Sequence, residues 1–159
     1  QYGIGAGDKV AILSQSMPNW SAAFFSIVPF GRIAIPILPD SSPNEVTNIL
    51  EHSESKVIFV SQKLASKVSQ ECRDKMTLVI DIDTFEVIQA DDQQFTCDGR
   101  TAIPTPDDIA TIIYTSGTTG SAKGVVSSVA VGMCINTFRI VVYVCRIIEI
   151  AGEICLTSR

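Results

Sequence analysis

The chain has 159 residues, 46% of them hydrophobic and 18% charged, and a formal net charge of −5. That length suits one domain of ordinary size, able to bury a core without disulfides or metals, and this apolar content excludes an intrinsically disordered chain. The acidic balance argues against a nucleic-acid binder, which normally shows a basic face, and ten Gly with seven Pro exclude collagen-like and linker-like classes.

The elements follow in chain order. Val10-Ala11-Ile12-Leu13 is a short apolar run after Gly7-Asp8, as a buried strand requires. Trp20, Ala23, Phe24 and Ile27 then recur at helical spacing, with Asn19 as the candidate cap. Pro29 should kink or end that helix, and Gly31 suits its C-terminal turn. Residues 33–38 form the next strand, and Pro36 places it at an edge or a strand end. The second helix has the best start signal in the chain: Ser42 as cap, Pro43 at the first helical position and Glu45 completing a capping box. Val46, Ile49 and Leu50 make its buried stripe. Residues 57–60 are a strand, 62–69 a short helix with Leu64 and Val68 four apart, and 78–80 another strand. Residues 83–108 read as loops with a strand fragment, and 109–114 are again strand-like.

Alternating strands and helices predict crossover units, hence an α/β fold with a largely parallel sheet that binds ligands where strands end and loops begin. The five cysteines, Cys72, Cys97, Cys134, Cys145 and Cys155, are odd in number, widely spaced and accompanied only by His52. They read as free, mostly buried thiols in a reducing compartment, neither a zinc site nor a disulfide framework. The first residues lack an initiator Met and a signal-peptide layout, and no uncharged apolar run reaches membrane-spanning length. The expectation is an interior piece of a cytoplasmic protein, without a transmembrane segment but compatible with peripheral membrane association.

The stretch that carries chemistry is Tyr114-Thr115-Ser116-Gly117-Thr118-Thr119-Gly120-Ser121-Ala122-Lys123-Gly124-Val125, directly after a predicted strand. The hydroxyls of Thr115, Ser116, Thr118 and Thr119 can donate to phosphate oxygens, and Gly117 and Gly120 allow backbone N–H groups to approach closely. Lys123 adds a positive charge at the far end. The stretch is not a Walker A loop, because Ala122 precedes Lys123 and Gly124 follows it. These residues describe a polyphosphate cradle of unnamed nucleotide, against the alternative of a polar surface turn.

The run Thr115-Ser116-Gly117-Thr118-Thr119-Gly120-x-x-Lys123-Gly124 resembles the signature loop of the adenylate-forming (AMP-binding) enzymes: acyl-CoA synthetases, peptide-synthetase adenylation domains and luciferases. Gly7 through Leu13 with Pro18-Asn19-Trp20, and Gly31 through Pro39 before a capped helix, are similar to the early elements of that family. The resemblance runs from about Gly3 to Val125. Asp107 through Tyr114 are worded most like long-chain fatty acid–CoA ligases. The resemblance implies an enzyme that activates a carboxylic acid with ATP and Mg²⁺ as an acyl-adenylate and transfers it to coenzyme A. Thr115, Ser116, Gly117, Thr118, Thr119, Gly120 and Lys123 would bind the ATP phosphates. The family's catalytic Lys and magnesium-binding Glu fall beyond this chain, so neither a catalytic nor a metal residue is assigned. Alternatives are an aryl or amino acid adenylating enzyme, and a non-catalytic nucleotide- or protein-binding remnant.

Two departures stand out. Position 122 is Ala where the family often has Pro, and no His follows Val125. Composition also shifts there: residues 125–159 contain seven Val, six Ile and three Cys but no Lys, Asp or Pro. The expected organisation is a partial AMP-binding N-terminal domain over 1–125 and an apolar tail over 126–159, inactive as an isolated fragment.

Other signals carry less. Asp81-x-Asp83 starts like a calcium loop, but Phe85 and Glu86 stand where a ligand and Gly belong, leaving a solvated turn. Asn19-Trp20-Ser21 is a sequon at a helix start without a secretory context. Gly3-x-Gly5-x-Gly7 misses the dinucleotide spacing, and Ser116 lacks the frame of a hydrolase nucleophile. His52 is expected near the C-terminal carbonyls of its helix, outside any site.

Overall fold

A computed structural model describes residues 4–90, 103–116 and 122–129. The elements are β1 (Lys9–Leu13), α1 (Pro18–Ile27), β2 (Ile33–Ile37), α2 (Pro43–Ser53), β3 (Val57–Val60), α3 (Gln70–Asp74), β4 (Leu78–Asp81), β5 (Val87–Ala90), β6 (Ile109–Ser116) and β7 (Ala122–Ser128). They form one seven-stranded sheet in the order β5-β4-β3-β1-β2-β6-β7. The five inner strands are parallel, and β5 and β7 are antiparallel strands at the two edges. The predicted α/β class with a largely parallel sheet holds.

The handedness of crossovers explains the layering. From β1 the chain moves to β2 on one side, then back past β1 to β3 on the other. Right-handed connections running in opposite directions must cover opposite faces. Ala23, Phe24 and Ile27 of α1 accordingly pack on Val10 and Ile12, while Val46 and Leu50 of α2 pack on the other face with Ala11 and Leu13. Cys72 of α3 is buried on that second face and unpaired.

α2 starts as its residues require. The Ser42 Oγ accepts from the Glu45 N–H at 3.3 Å, and the Glu45 carboxylate accepts from the Ser42 N–H at 2.7 Å. Its buried stripe is Val46, Ile49 and Leu50. α1 differs in detail. It opens on Pro18 with Met17 at the cap position, because the ring of a proline is already set for a first helical residue. Asn19 does not cap. Its amide donates to the carbonyls of Ile82 and Asp83 at 2.8 and 3.0 Å, tying the helix start to the end of β4. A 3-10 turn over Val28–Phe30 ends on Gly31 at φ 72°, the left-handed conformation glycine tolerates best. The segment expected as one short helix over 62–69 is a 3-10 helix (Gln62–Lys67), followed by the unpredicted α3.

Of the two places expected for Pro36, the structure has the strand end, since it is the next-to-last residue of β2. β2 lies inside the sheet, between β1 and β6, not at an edge. The proline is tolerated because the β2–β6 ladder is thin: Ala34–Thr111 is its one registered pair, and the Thr111 hydroxyl itself donates to the Ala34 carbonyl at 2.9 Å. Little backbone donation is lost on that side.

The Glu45 box makes a testable statement about acid stability. Hydrogen bonds from the Ser42 N–H and hydroxyl hold the Glu45 carboxyl below its ordinary value of 4.5. A carboxyl depressed in the fold stabilises above its unfolded pKa and loses that contribution as pH falls through the folded one. Glu45→Gln should therefore lower the thermal midpoint at pH 7, with the gap to the parent chain closing below about pH 4. A gap independent of pH, measured by thermal melts across that range, contradicts it. Ser42→Ala should cost about 1 kcal/mol by urea titration.

Candidate functional site

The phosphate-loop candidate is built on an antiparallel hairpin. β6 runs parallel to β2, so its last residues lie at the carboxyl edge of the sheet, the edge at which α/β folds bind ligands. β7 returns from that edge, paired Ser116–Ala122, Thr115–Lys123, Tyr114–Gly124 and Ile113–Val125. The sequence predicts a loop directly after Tyr114, up to about Val125, with no strand assigned to 122–128. Ser-Ala-Lys-Gly has weak strand propensity alone, and the partner strand supplies the order.

The pairing brings the two ends of the motif together. Directly opposed residues of an antiparallel pair point to the same face, so Thr115 and Lys123, eight positions apart in the chain, stand side by side. Both are exposed. Ser116 ends β6. Gly117, Thr118, Thr119 and Gly120 lie outside the described residues.

Lys123 is uncommitted. Among the described residues, Lys9, Lys56 and Lys75 form ion pairs, and Lys67 donates to the carbonyls of Pro39 and Ser41 at 2.6 and 2.8 Å. Arg32 is bound to the Ile4 carbonyl, and Arg73 to those of Val68 and Ala65. Among the described residues, Lys63 and Lys123 alone have no such partner. An exposed ammonium beside a hydroxyl, with no carboxylate on it, is suited to an anion.

Beneath that rung, on the other face, lies Tyr114. Its side chain is buried with 7% exposure, and burial pushes its hydroxyl pKa up, so the phenol keeps its proton at neutral pH. Gly124 sits opposite it. A Cβ at Gly124 would come within 2.8 Å of Ile112 Cγ2, so the glycine is what leaves room for the Ile112 side chain, while the Tyr114 ring, 3.5 Å away, lies at ordinary contact distance. The Tyr114 hydroxyl meets His52 Nδ1 at 2.9 Å, with the rings edge to face. His52 therefore does more than sit near helix carbonyls. Sequence reasoning missed this because the partners are 62 positions apart. The available signal was that His52 falls one turn beyond Ile49 of the buried stripe.

Of the signals set aside earlier, the Asp81 turn has a structural part. Asp81 is buried, not solvated: its carboxylate accepts from the Gln62 side chain and the Asp83 N–H at 2.7 and 2.8 Å. Among the described residues, no three His, Cys, Asp or Glu side chains converge in a way that could hold a metal ion. No helix among them is long and apolar enough to cross a membrane.

This hairpin at the carboxyl edge of a parallel sheet lies within a match to the AMP-binding enzyme family model over residues 1–151. The chain belongs to that family. The match continues through most of the stretch expected as a separate tail, whose first residues, 126–128, complete β7. Among curated relatives, a long-chain-fatty-acid–CoA ligase of Mycobacterium bovis is 29% identical over 133 residues, covering 77% of this chain and 22% of that protein. Tyrocidine synthase 2 of Brevibacillus parabrevis is 31% identical over 125 residues, covering 79% of this chain and 3% of that protein. The chain thus spans about a quarter or less of the length of these relatives. In fold it is similar to O-succinylbenzoate coenzyme A synthetase from Bacillus subtilis in complex with AMP, at TM-score 0.60 and 24% identity over 79% of this chain and 31% of that one. It is likewise similar to an anthranilate CoA ligase in complex with anthranoyl-AMP, at TM-score 0.63 and 22% identity over 79% of this chain and 25% of that one.

Gly124→Val tests the packing. Its methyls have no space between Ile112 and Tyr114, so overpacking should cost about 1–3 kcal/mol and loosen the hairpin. Faster amide exchange at Tyr114 and Thr115 than in the β1–β3 core is the expected readout, and uniform exchange in both regions contradicts it.

Proposed function

We propose that this chain is the ATP phosphate-binding part of an acid–CoA ligase, which activates a carboxylic acid of the long-chain fatty class as acyl-adenylate and passes it to coenzyme A. The observation that carries the reading is the Thr115–Lys123 rung, an uncommitted ammonium and a hydroxyl side by side at the carboxyl edge of a parallel sheet in an AMP-binding family member. In the first half-reaction the carboxylate attacks the α-phosphorus and pyrophosphate leaves with the electron pair of the broken P–O bond. Lys123, Thr115 and Ser116, with Gly117, Thr118, Thr119 and Gly120, are the donors we assign to the β- and γ-phosphates, where that charge develops. In the second half-reaction the thiol of coenzyme A displaces AMP.

Mg²⁺ is the family's partner for such a triphosphate. The described residues contribute no ligand set for it, so no step here passes through the ion. The long-chain preference rests on the wording of residues 107–114 and on the matching M. bovis ligase. A second reading, an amino acid adenylating enzyme, is favoured by the match of similar identity to tyrocidine synthase 2. A cytoplasmic setting belongs to the same proposal, as it keeps the buried Cys72 a free thiol.

ATP–pyrophosphate exchange by the full-length gene product, with fatty, aryl and amino acids in turn, separates these readings. Exchange driven best by long-chain acids supports the first, and exchange with amino acids the second. No exchange with any acid leaves a non-catalytic nucleotide- or protein-binding module. Lys123→Ala should cost on the order of 2–4 kcal/mol of barrier in adenylation. Thiol transfer from preformed acyl-adenylate should suffer less, because pyrophosphate has already left. Equal losses in both halves would sink the phosphate assignment.

A further inference from the structure

We propose that His52 is a positioning residue that acts through Tyr114, the two forming a clasp that sets where Thr115 and Lys123 stand at the carboxyl edge. The phosphate-positioning part of this inference rests on the function proposed above, whereas the clasp itself rests on geometry alone. β6 is registered to β2 only at Ala34–Thr111, and β7 is the outermost strand. From Ile112 onward the hairpin has β2 on one side and, among the described residues, no strand beyond β7 on the other. Among the described residues, the His52–Tyr114 bond is the one side-chain hydrogen bond that joins positions 112–128 to the rest of the fold.

Its place in the chain makes it a lever. Tyr114 immediately precedes Thr115, and its cross-strand partner Gly124 immediately follows Lys123. Fixing the Tyr114 ring fixes both arms one rung below the proposed phosphate donors. The ring is held on three sides: Gly124 lies across from it, the His52 ring meets it edge to face at 5.6 Å between centroids, and its hydroxyl is bonded to Nδ1. A buried phenol needs such a partner, since leaving its hydroxyl bare carries a desolvation cost. His52 is exposed and touches no proposed phosphate donor, so any effect on them passes through Tyr114. Catalysis is sensitive to displacements of about 1 Å, which makes a clasp of this kind consequential.

The test uses the full-length gene product with Tyr114→Phe, His52→Leu, the double variant and His52→Asn, whose amide returns a polar atom close to the position of Nδ1. Hydrogen–deuterium exchange of residues 111–126 is read against the β1–β3 core, together with KM for ATP and kcat in ATP–pyrophosphate exchange. The expected result is faster exchange confined to the hairpin. kcat/KM should fall about tenfold in each single variant, with the double no worse than either and recovery in His52→Asn. Unchanged hairpin protection in Tyr114→Phe and His52→Leu overturns the clasp, whether or not the wild-type protein is active. Losses that multiply in the double variant overturn action through a single bond. Loosened hairpins with unaltered KM and kcat overturn the positioning role. A wild-type protein without pyrophosphate exchange sinks the adenylation reading and with it the phosphate part, while the deuterium readout still decides the clasp.

Discussion

Strand β1 is bonded on both edges, to β2 and to β3, and covered on both faces, and the rest of the domain is laid out around that fact. Ala11, Ile12 and Leu13 have no exposed surface at all. Because the chain leaves β1 in one direction and later returns past it in the other, α1 and α2 are forced onto opposite faces. The carboxyl ends of the parallel strands share one edge, the edge at which α/β folds bind ligands. β6 arrives beside β2 with its own carboxyl end at the same edge. The hairpin that follows is delivered there by topology, without any special feature of its own sequence.

Charge at that edge is local, not global. A chain of net charge −5 is a poor general attractor of polyanions. The described cations away from the motif are almost all engaged, in ion pairs such as Lys56–Asp8 at 2.8 Å or in carbonyl contacts such as those of Lys67. Lys67 holds the loop after β2, next to the hairpin, and contributes shape there while its charge is directed at carbonyl oxygens. Lys123 is left as an exposed positive group without an ion-pair partner among the described residues. An anion at this edge would meet one ammonium and a set of neutral donors, an arrangement that favours a specific geometry over simple charge attraction.

What could be read from the sequence divides along the range of the interactions involved. α2 was legible because its signals are local: Ser42, Pro43 and Glu45 lie within four residues and act on each other. The buried strands were legible because an apolar run between turn residues has few alternatives. α1 began one residue before the expected cap because Pro18 outranked Asn19, whose amide had a better use 63 positions away. Pro36 left an edge and a strand end both open; it stands at a strand end inside the sheet, where the thin β2–β6 ladder asks little of the missing N–H. β7 was invisible because a glycine- and serine-rich stretch becomes a strand only against a partner. The site shows the same division. The residue types proposed to hold phosphate are plain in the sequence, but the pairing of Thr115 with Lys123 and the bond of Tyr114 to His52 exist only once distant segments meet.

The hairpin's own energetics explain why it needs that support. A two-stranded ribbon is marginal in water, and this one carries exposed apolar residues on its free side, with Ile113 at 45% and Val125 at 57% exposure. Those side chains stabilise it little where they stand, because water still reaches them. The stabilising burial is on the opposite face, where Ile112 and Tyr114 join the cluster beneath α2. Ile112 fits there only because residue 124 has no side chain, and Tyr114 only because its hydroxyl finds His52. Glycine at 124 and histidine at 52 therefore solve one problem from two sides: burying one face of a strand pair whose other face is the one proposed to meet an anion. A larger residue at 124 would add strand propensity but crowd Ile112, and a hydrophobic residue at 52 would add apolar contact but strand the phenol. In each case the gain is smaller than the loss, because it falls on the exposed side of the pair and the loss falls on the buried one.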